Sequence, residues 1–354
     1  MVNVELAITD RCNLGCKYCY VKNRNSAMSK STLLKCFPKI HQYVNEFKET
    51  EYSVSYFGGE PLMNFELIKF AYEIFSKDPM CKEQSIISNG TLVTQEIYDW
   101  IKSHKIGFSW SFDGIDSNVS RPLLPIVENQ GAKDILSVFE RKKDMLLDLS
   151  NHGAHVMIYP ENVSKMLKNF DYLYNVWNIK NIGFTLVRDD VWNNQSIDIF
   201  RTQFHNLCVI YTNMLKHDKD VSISLIDNWI NDVYCGLKDM KFTAMCFAGC
   251  SGMGISPDGE FYGCQRFASN KQFKLSEYDL GNIAKYADIS TFEKCKTCNI
   301  RKFCRNLCKY SIIKNNNQPI ESICELYHII VYEVLNVIHE LHDNKRLMQK
   351  ITFF

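Results

Sequence analysis

Three cysteines near the amino terminus have the spacing of metal ligands. Cys12, Cys16 and Cys19 form a C-x3-C-x2-C motif directly after a predicted strand. Three thiolates at this spacing can bind three irons of a cubane cluster and leave the fourth iron open, whereas a closed site is structural. A zinc site without a visible fourth ligand, or loop cysteines with no shared role, are the alternatives. The motif therefore predicts a metal centre with an open position.

A second set of cysteines occupies the last third of the chain. It consists of Cys246, Cys250, Cys264, Cys295, Cys298, Cys304, Cys308 and Cys324. The chain has 15 cysteines, and its first residues, MVNVELAIT, are no signal peptide. In a reducing compartment such clustering indicates metal or redox chemistry rather than disulfides. Because paired C-x2-C units also bind zinc, two structural zinc sites are the alternative.

Other chemically distinctive motifs follow predicted strands. GGEP follows strand Ser53–Phe57, NG follows Ser85–Ser88, SFDG ends Ile106–Phe112 and PEN follows Ala154–Tyr159. With Val2–Ile8 and Ile182–Val187 these make six strand–helix units, which predict an α/β fold with a parallel sheet, open or curled as a partial (β/α)6 barrel. In such a barrel the loops after the strands form one face, so we expect the motifs to share that face.

The alternation of strands and helices stops near residue 226. We therefore predict a partial barrel over residues 1–225 and a loop-rich, cysteine-rich domain over residues 226–354. A helix is predicted at Trp229–Lys241, and Ile323–His342 reads as a final helix, because Leu326, Ile330 and Val334 recur at helical spacing.

Composition excludes several classes of protein. The chain has 354 residues, a net charge of +1 and 46% hydrophobic residues, so it can form a full core and is not a disordered polymer. Near-neutral charge argues against a nucleic-acid partner held through phosphates. The apolar stretch Ile329–Leu341 is too short to span a bilayer. We therefore expect a cytoplasmic protein without a membrane partner.

The amino-terminal motif resembles the signature of the radical SAM enzymes, C-x3-C-x-aromatic-C, with Tyr18 as the aromatic residue. The resemblance implies that Cys12, Cys16 and Cys19 hold a [4Fe–4S] cluster whose open iron binds S-adenosylmethionine (SAM). It further implies a set of SAM contacts: Tyr18, Gly58, Gly59, Glu60, Ser88, Asn89, Ser111, Asp113 and Arg121. Glu60 would bind the SAM amino group, and Arg121 would pair with the SAM carboxylate unless it is an ordinary surface arginine. Asn162 could contribute, although a helix N-cap would explain it equally well.

The later cysteines resemble the SPASM extension of radical SAM proteins. This resemblance implies one auxiliary [4Fe–4S] cluster at Cys246, Cys250, Cys264 and Cys308, and a second at Cys295, Cys298, Cys304 and Cys324. With the first motif, eleven cysteines would hold three [4Fe–4S] clusters. The other four are Cys36, Cys81, Cys208 and Cys235, which we interpret as buried or inert thiols.

The two resemblances together imply a radical SAM oxidoreductase that modifies a side chain of a peptide or protein, as in ribosomal-peptide maturation. An external electron donor, such as flavodoxin or ferredoxin, is implied as a partner. Sulfatase maturases carry an aspartate after the cysteine matching Cys264, but this chain has Gln265, which cannot act as a general base. Gln265 and Arg266 are candidate substrate contacts, and no other catalytic residue is predicted.

Three alternatives remain for the function. The same machinery could act on a small molecule as a dehydrogenase or epimerase, or it could generate formylglycine in a sulfatase. A non-enzymatic electron carrier would have no use for GGEP and SFDG. Since the chain begins at its first predicted strand, recognition of a leader peptide would require the barrel, the final helix or a separate protein.

Overall fold

The computed structural model describes residues 1–21, 25–125, 133–238, 246–275, 291–304 and 308–344. The chain divides into two compact units, which are described separately. The first contains Met1–Phe112, Ser117–Asn151 and Phe247–Lys285, and the second contains Asp113–Asp116, His152–Cys246 and Tyr286–Phe354.

The first unit is built on a six-stranded sheet. Its strands are β1 (Val2–Thr9), β2 (Tyr52–Gly58), β3 (Cys81–Ser88), β4 (Gly107–Trp110), β8 (Gly252–Ile255) and β9 (Phe261–Tyr262), in the order β4-β3-β2-β1-β8-β9. All neighbours are parallel except the β8–β9 hairpin. Its helices are α1 (Lys30–Glu46), α2 (Phe65–Phe75), α3 (Gln95–Ser103), α4 (Ser117–Ser120), α5 (Ile135–Arg141) and α6 (Lys143–Leu149).

Helix α1 shows how the sequence forms this unit. It begins after Ser29, whose side chain accepts a hydrogen bond from the Thr32 amide, as an N-cap does. Its buried residues recur at helical spacing, so one face is apolar: Leu33, Cys36, Ile40 and Val44. Pro38 lies inside the helix without ending it.

The second unit has a three-stranded parallel sheet in the order β5-β6-β7, formed by Gly153–Ile158, Asn181–Leu186 and Ser222–Ile223. Its helices are α7 (Met166–Asp171), α8 (Asn194–Lys216), α9 (Ser224–Leu237), α10 (Glu293–Lys296), α11 (Lys309–Lys314) and α12 (Glu321–Leu341). Helix α12 packs on α8 and α9, where Trp229 meets Tyr327 with ring centroids 5.0 Å apart. Among the described helices, none is both long and apolar enough to cross a bilayer.

The predicted fold class is confirmed, and all six predicted strands are present as β1 to β6. They are divided between the two sheets, β1–β4 in one and β5–β6 in the other. The predicted final helix is α12, and the helix predicted at Trp229–Lys241 begins earlier, at Ser224; residues 239–241 lie outside the described ranges. The sequence did not predict β7, β8 and β9. The division at residue 225 stays a prediction.

Candidate active site

The loop that carries Cys12, Cys16 and Cys19 follows β1 and is held by its own main chain. Three backbone hydrogen bonds of 2.8–3.0 Å join it to residues 120–124: Gly15 N to Pro122 O, Lys17 N to Ser120 O, and Leu124 N to Asn13 O. These hydrogen bonds join backbone atoms, so they hold the path of the cysteine loop independently of the side chains between the cysteines.

The two glycines of GGEP allow β2 to approach the same loop from the other side. Gly59 N donates to Thr9 O at 2.7 Å, and Glu60 N donates to Arg11 O at 2.8 Å. Gly58 has a φ of +137°, and a Cβ there would overlap the carbonyl oxygen of Thr9. A Cβ on Gly59 would likewise overlap Arg11 O. Only glycine permits this contact between two backbones.

Glu60 is fully buried at the junction of β2 and β3. Its Oε1 accepts hydrogen bonds from Leu62 N at 3.0 Å and Ser88 Oγ at 2.8 Å, and its Oε2 accepts one from Asn89 N at 2.8 Å. Burial raises the pKa of Glu60 to about 7, although these hydrogen bonds oppose the shift. An ammonium group beside this carboxylate would stabilise its charged form, which is consistent with the predicted contact to the SAM amino group.

SAM affinity is therefore expected to increase as the pH rises through 7. The raised pKa leaves Glu60 mostly protonated at pH 6 and mostly ionised at pH 8, and only the ionised form attracts an ammonium. Titration calorimetry of the reconstituted protein should show binding about tenfold tighter at pH 8 than at pH 6. Glu60→Gln should bind weakly at both pH values. A wild-type affinity that does not change over this range would contradict the contact.

A buried amide network fastens the cysteine loop to the end of β3. Asn13 Nδ2 donates to Thr91 Oγ1 at 2.7 Å, and Asn89 Nδ2 donates to Asn13 Oδ1 at 2.9 Å. Asn89 Oδ1 accepts from Thr91 N at 2.9 Å. The side chain of Asn89, a predicted SAM contact, thus also positions the cysteine loop. Our sequence reasoning missed Asn13 and Thr91, although a polar residue directly after Cys12 was the available signal.

Tyr18 and Arg121, both predicted SAM contacts, lie together. The Arg121 guanidinium is 5.2 Å from the centroid of the Tyr18 ring, within the range of a cation–π interaction. Arg121 is only 5% exposed, which excludes the alternative of an ordinary surface arginine. Ser111 follows β4, and its amide donates to Ser88 O at 2.9 Å.

In the second unit, Asp113 and Asn162 fasten the carboxyl end of β5. Asp113 is fully buried and its Oδ1 accepts from Met157 N at 2.9 Å. Asn162 Oδ1 accepts from Tyr159 N at 2.9 Å, and its Nδ2 donates to Met157 O at 2.8 Å. The Asn162 side chain does not cap the following helix, so it closes the turn after β5 instead.

Three predicted ligands of the second auxiliary cluster are neighbours within the second unit. Burial, and then the nearby Cys298 thiol, raise the pKa of Cys295. Burial raises the pKa of Cys324 as well, with the Lys294 ammonium opposing the shift. Cys298 Sγ lies 3.5 Å from Nε2 of His328. Lys294 and His328 are further residues of this region that the sequence reasoning missed, because neither belongs to a cysteine motif.

The remaining predicted ligands are distributed over both units. Cys250 and Cys264 belong to the first unit, and Cys246, Cys304 and Cys308 to the second. Within the described ranges, no three Cys, His, Asp or Glu side chains form a group that could hold a metal ion as placed. The three ligand sets therefore stay predictions. Their fit to iron–sulfur clusters rests on the donors, which are all thiols and are the preferred ligands of such clusters.

The four cysteines outside the predicted sets agree in part with the prediction of buried, inert thiols. Cys36, Cys208 and Cys235 are buried, whereas Cys81 is half-buried. Burial raises the pKa of Cys36 to about 11 and that of Cys81 to about 12. The Cys36 and Cys81 thiols are therefore poor nucleophiles at neutral pH.

Gln265, a predicted substrate contact, is anchored to the sheet of the first unit. Its side-chain Nε2 donates to the carbonyl oxygens of Glu5, at 2.5 Å, and Ile255, at 3.2 Å. Its backbone amide donates to Glu5 Oε2 at 2.9 Å, and burial raises the pKa of that carboxyl. Arg266 is near enough to Tyr20 for its charge to lower the pKa of that phenol, which burial raises. Gln265 thus positions Cys264 relative to β1.

Comparisons with known proteins agree with the radical SAM motifs found in the first unit. The profile of the radical SAM superfamily matches residues 6–173. The radical SAM cyclopropyl synthase TigE of Paramaledivibacter caminithermalis is 21% identical in an alignment of 362 positions, gaps included, that covers 94% of this chain and 73% of TigE.

Two solved structures share the fold. One is native anSMEcpe with bound AdoMet and the Cp18Cys peptide, with a TM-score of 0.73 and 17% identity over 99% of both chains. The other is Streptococcus suis SuiB bound to its precursor peptide SuiA, with a TM-score of 0.58 and 15% identity over 88% of this chain and 73% of SuiB. Residues 6–173 therefore match the radical SAM superfamily, and the chain shares the fold of anSMEcpe and SuiB.

Proposed function

We propose that this protein is a radical SAM oxidoreductase that oxidatively modifies a side chain of a peptide or protein. The observation that carries the proposal is the junction of the cysteine loop with GGEP. There, backbone contacts hold a three-thiol loop against a buried carboxylate whose ionisation an ammonium would favour. A protein that only carries clusters would not need the buried carboxylate of Glu60.

At this junction, residues of the first unit would bind the cluster, bind SAM and position the cysteine loop. Cys12, Cys16 and Cys19 would hold a [4Fe–4S] cluster, which would supply the one-electron reducing chemistry for the cleavage of SAM. Glu60 would orient the SAM amino group through a charge-assisted hydrogen bond. The side chains of Asn13, Asn89 and Thr91 keep the loop in place while substrates exchange.

Eight further cysteines would hold two auxiliary clusters, which would provide redox capacity for a net oxidation. In this proposal Cys246, Cys250, Cys264 and Cys308 form one set, and Cys295, Cys298, Cys304 and Cys324 form the other. Because each set supplies four thiolates, no iron would remain open to substrate. A flavodoxin or ferredoxin would deliver electrons to the first cluster.

A peptide substrate is supported by two structural neighbours that share the fold. One of those structures is anSMEcpe with the Cp18Cys peptide, and the other is SuiB with the precursor peptide SuiA. Gln265 replaces the aspartate of the sulfatase maturases and is committed to hydrogen bonds with the backbone. The reaction is therefore proposed to differ from formylglycine formation.

Co-expression tests this function directly. The protein would be produced anaerobically with each short peptide encoded beside its gene, and the peptides would be analysed by mass spectrometry. We expect one peptide to lose two hydrogens or to gain a cross-link, and Cys16→Ala to leave it unmodified. If no peptide changed while the wild-type protein still cleaved SAM, the small-molecule alternative would replace this proposal.

Replacing Cys304 and Cys324 with alanine is expected to abolish peptide product while leaving uncoupled SAM cleavage intact. Both residues are assigned to the second auxiliary set, outside the cysteine loop of the first unit. Product would be measured by mass spectrometry and SAM cleavage as 5′-deoxyadenosine by chromatography. Cys208→Ala, at a buried cysteine outside all three sets, is the matched control. A soluble double variant that formed product at the wild-type rate would show that the second auxiliary set is only structural.

A further inference from the structure

The first unit contains a polar cavity beside the proposed reaction centre. Its volume is about 200 Å³, and it opens where β1, β2 and β8 end. Among its lining residues are Asp10, Tyr20, Phe57, Asp258, Tyr262 and Lys271. Gly58 of GGEP and Tyr20, the residue after Cys19, also border it, so a group in this cavity would lie next to the cysteine loop.

Two carboxylates line the cavity, and neither forms an ion pair with a residue that the structure describes. Among the described residues, the Asp10 side chain makes neither a hydrogen bond nor an ion pair. Asp258 accepts one hydrogen bond, from the Ser256 hydroxyl at 2.5 Å. Lys271 reaches the same cavity but forms no ion pair within the described ranges. Two like charges facing a confined space repel one another, and a cation placed between them relieves that repulsion.

The walls of the cavity point to an organic cation. The rings of Tyr20, Phe57 and Tyr262 line it, and aromatic faces attract ammonium and guanidinium groups. The Tyr20 hydroxyl has no hydrogen-bond partner among the described residues, so it is available to accept a bond from an N–H donor. A single water needs only about 10–15 Å³ of such volume, so the cavity is much larger than a bare ion requires.

We propose that this cavity binds a basic side chain, of the lysine or arginine class, from the peptide substrate. The charged end would lie between Asp10 and Asp258, and its aliphatic stem would contact Phe57 and Tyr262. This inference rests on the proposed function, because it takes the substrate to be a peptide. It adds that a basic residue of that peptide is seated beside the cysteine loop.

The test measures peptide binding without turnover, so that it is independent of the proposed reaction. The probes are three blocked pentapeptides, Gly-Gly-X-Gly-Gly, in which X is lysine, norleucine or glutamate. Dissociation constants would be measured by titration calorimetry on the cluster-reconstituted protein with SAM present and no reductant. We expect the lysine peptide to bind about tenfold more tightly than the norleucine peptide, because only lysine offers a charged partner to the carboxylates. Failure of the reaction itself would appear separately, as absent peptide product.

Two variants are expected to change the affinity for the lysine peptide in opposite directions, which a folding defect would not do. Asp258→Asn keeps the hydrogen bond to Ser256 and should remove most of the preference for lysine. Lys271→Gln should strengthen binding of the lysine peptide, since it removes a competing cation. Glu260→Gln is the control on the same hairpin, because Glu260 pairs with Lys274 at 3.0 Å and does not line the cavity. Equal affinities for lysine and norleucine, tightest binding of glutamate, or weaker lysine binding in Lys271→Gln would overturn the proposal.

Discussion

Replacing Cys12, Cys16 and Cys19 together with alanine is expected to abolish SAM cleavage and to remove one third of the bound iron. With eleven ligands in three [4Fe–4S] clusters, the reconstituted protein should contain about twelve irons and the variant about eight. SAM cleavage should vanish because the lost cluster is the one with an open position. Iron would be measured by a colorimetric assay and 5′-deoxyadenosine by chromatography.

The control for this variant is Cys81→Ala. Cys81 lies at the start of β3, is half-buried and belongs to none of the three predicted ligand sets. It should retain all the iron and all SAM cleavage. Full iron content in the triple variant would contradict the assignment of the first cluster. If the wild-type protein, purified under anaerobic conditions, contained zinc and no iron, all three cluster assignments would be contradicted.

Gly59→Ala is expected to have the second largest effect, on both stability and cluster binding. A Cβ at this position would overlap Arg11 O and lie 2.6 Å from Asp10 O, and both are backbone atoms that cannot rotate away. The contact between β2 and the cysteine loop must then separate, with loss of the Gly59 N to Thr9 O bond. We expect a decrease of about 1–3 kcal/mol in the free energy of unfolding and SAM cleavage reduced by more than tenfold.

Gly15→Ala is the matched control within the same loop. Its Cβ would meet Leu124 Cδ2 at 3.2 Å, the end of a flexible side chain that can move aside. Denaturant unfolding, iron content and SAM cleavage should therefore remain close to the wild-type values. If Gly59→Ala matched Gly15→Ala in all three measurements, the glycines of GGEP would be an ordinary turn.

The sequence predicted those parts of the fold that have periodic patterns. Strands β1 to β6 were predictable because runs such as Val2–Ile8 are apolar and are followed by a helical pattern. Strand β8 has four residues and β9 has two, which is too short for any period to show. Gly254 obscures β8 further, yet it is required there, since a Cβ would lie 2.6 Å from the Cys264 and Gln265 backbone.

The same limit applies to the candidate site. Motif reasoning found Glu60 and the cysteines, because their types and spacing carry the chemistry. It missed Glu5, whose role depends on the amide of Gln265, 260 positions away. It assigned Asn89 to the cofactor, which stays a prediction, but it did not find the hydrogen bonds of this side chain to Asn13 and Thr91. Partners distant in sequence are set by tertiary packing, which one sequence without homologues does not display.

The backbone support of the cysteine loop has a consequence for the thermodynamics of metal uptake. The loop is already shaped by bonds to β2, to the end of β3 and to residues 120–124. Little of the free energy of cluster binding is therefore needed to order the cysteine loop. Most of that free energy then contributes to the affinity of the loop for its cluster. The segment 291–304 contains only one short helix, and ordering it draws on the same free energy that would otherwise retain the metal. Under a limited iron supply, the first site should therefore fill before the site that depends on this segment.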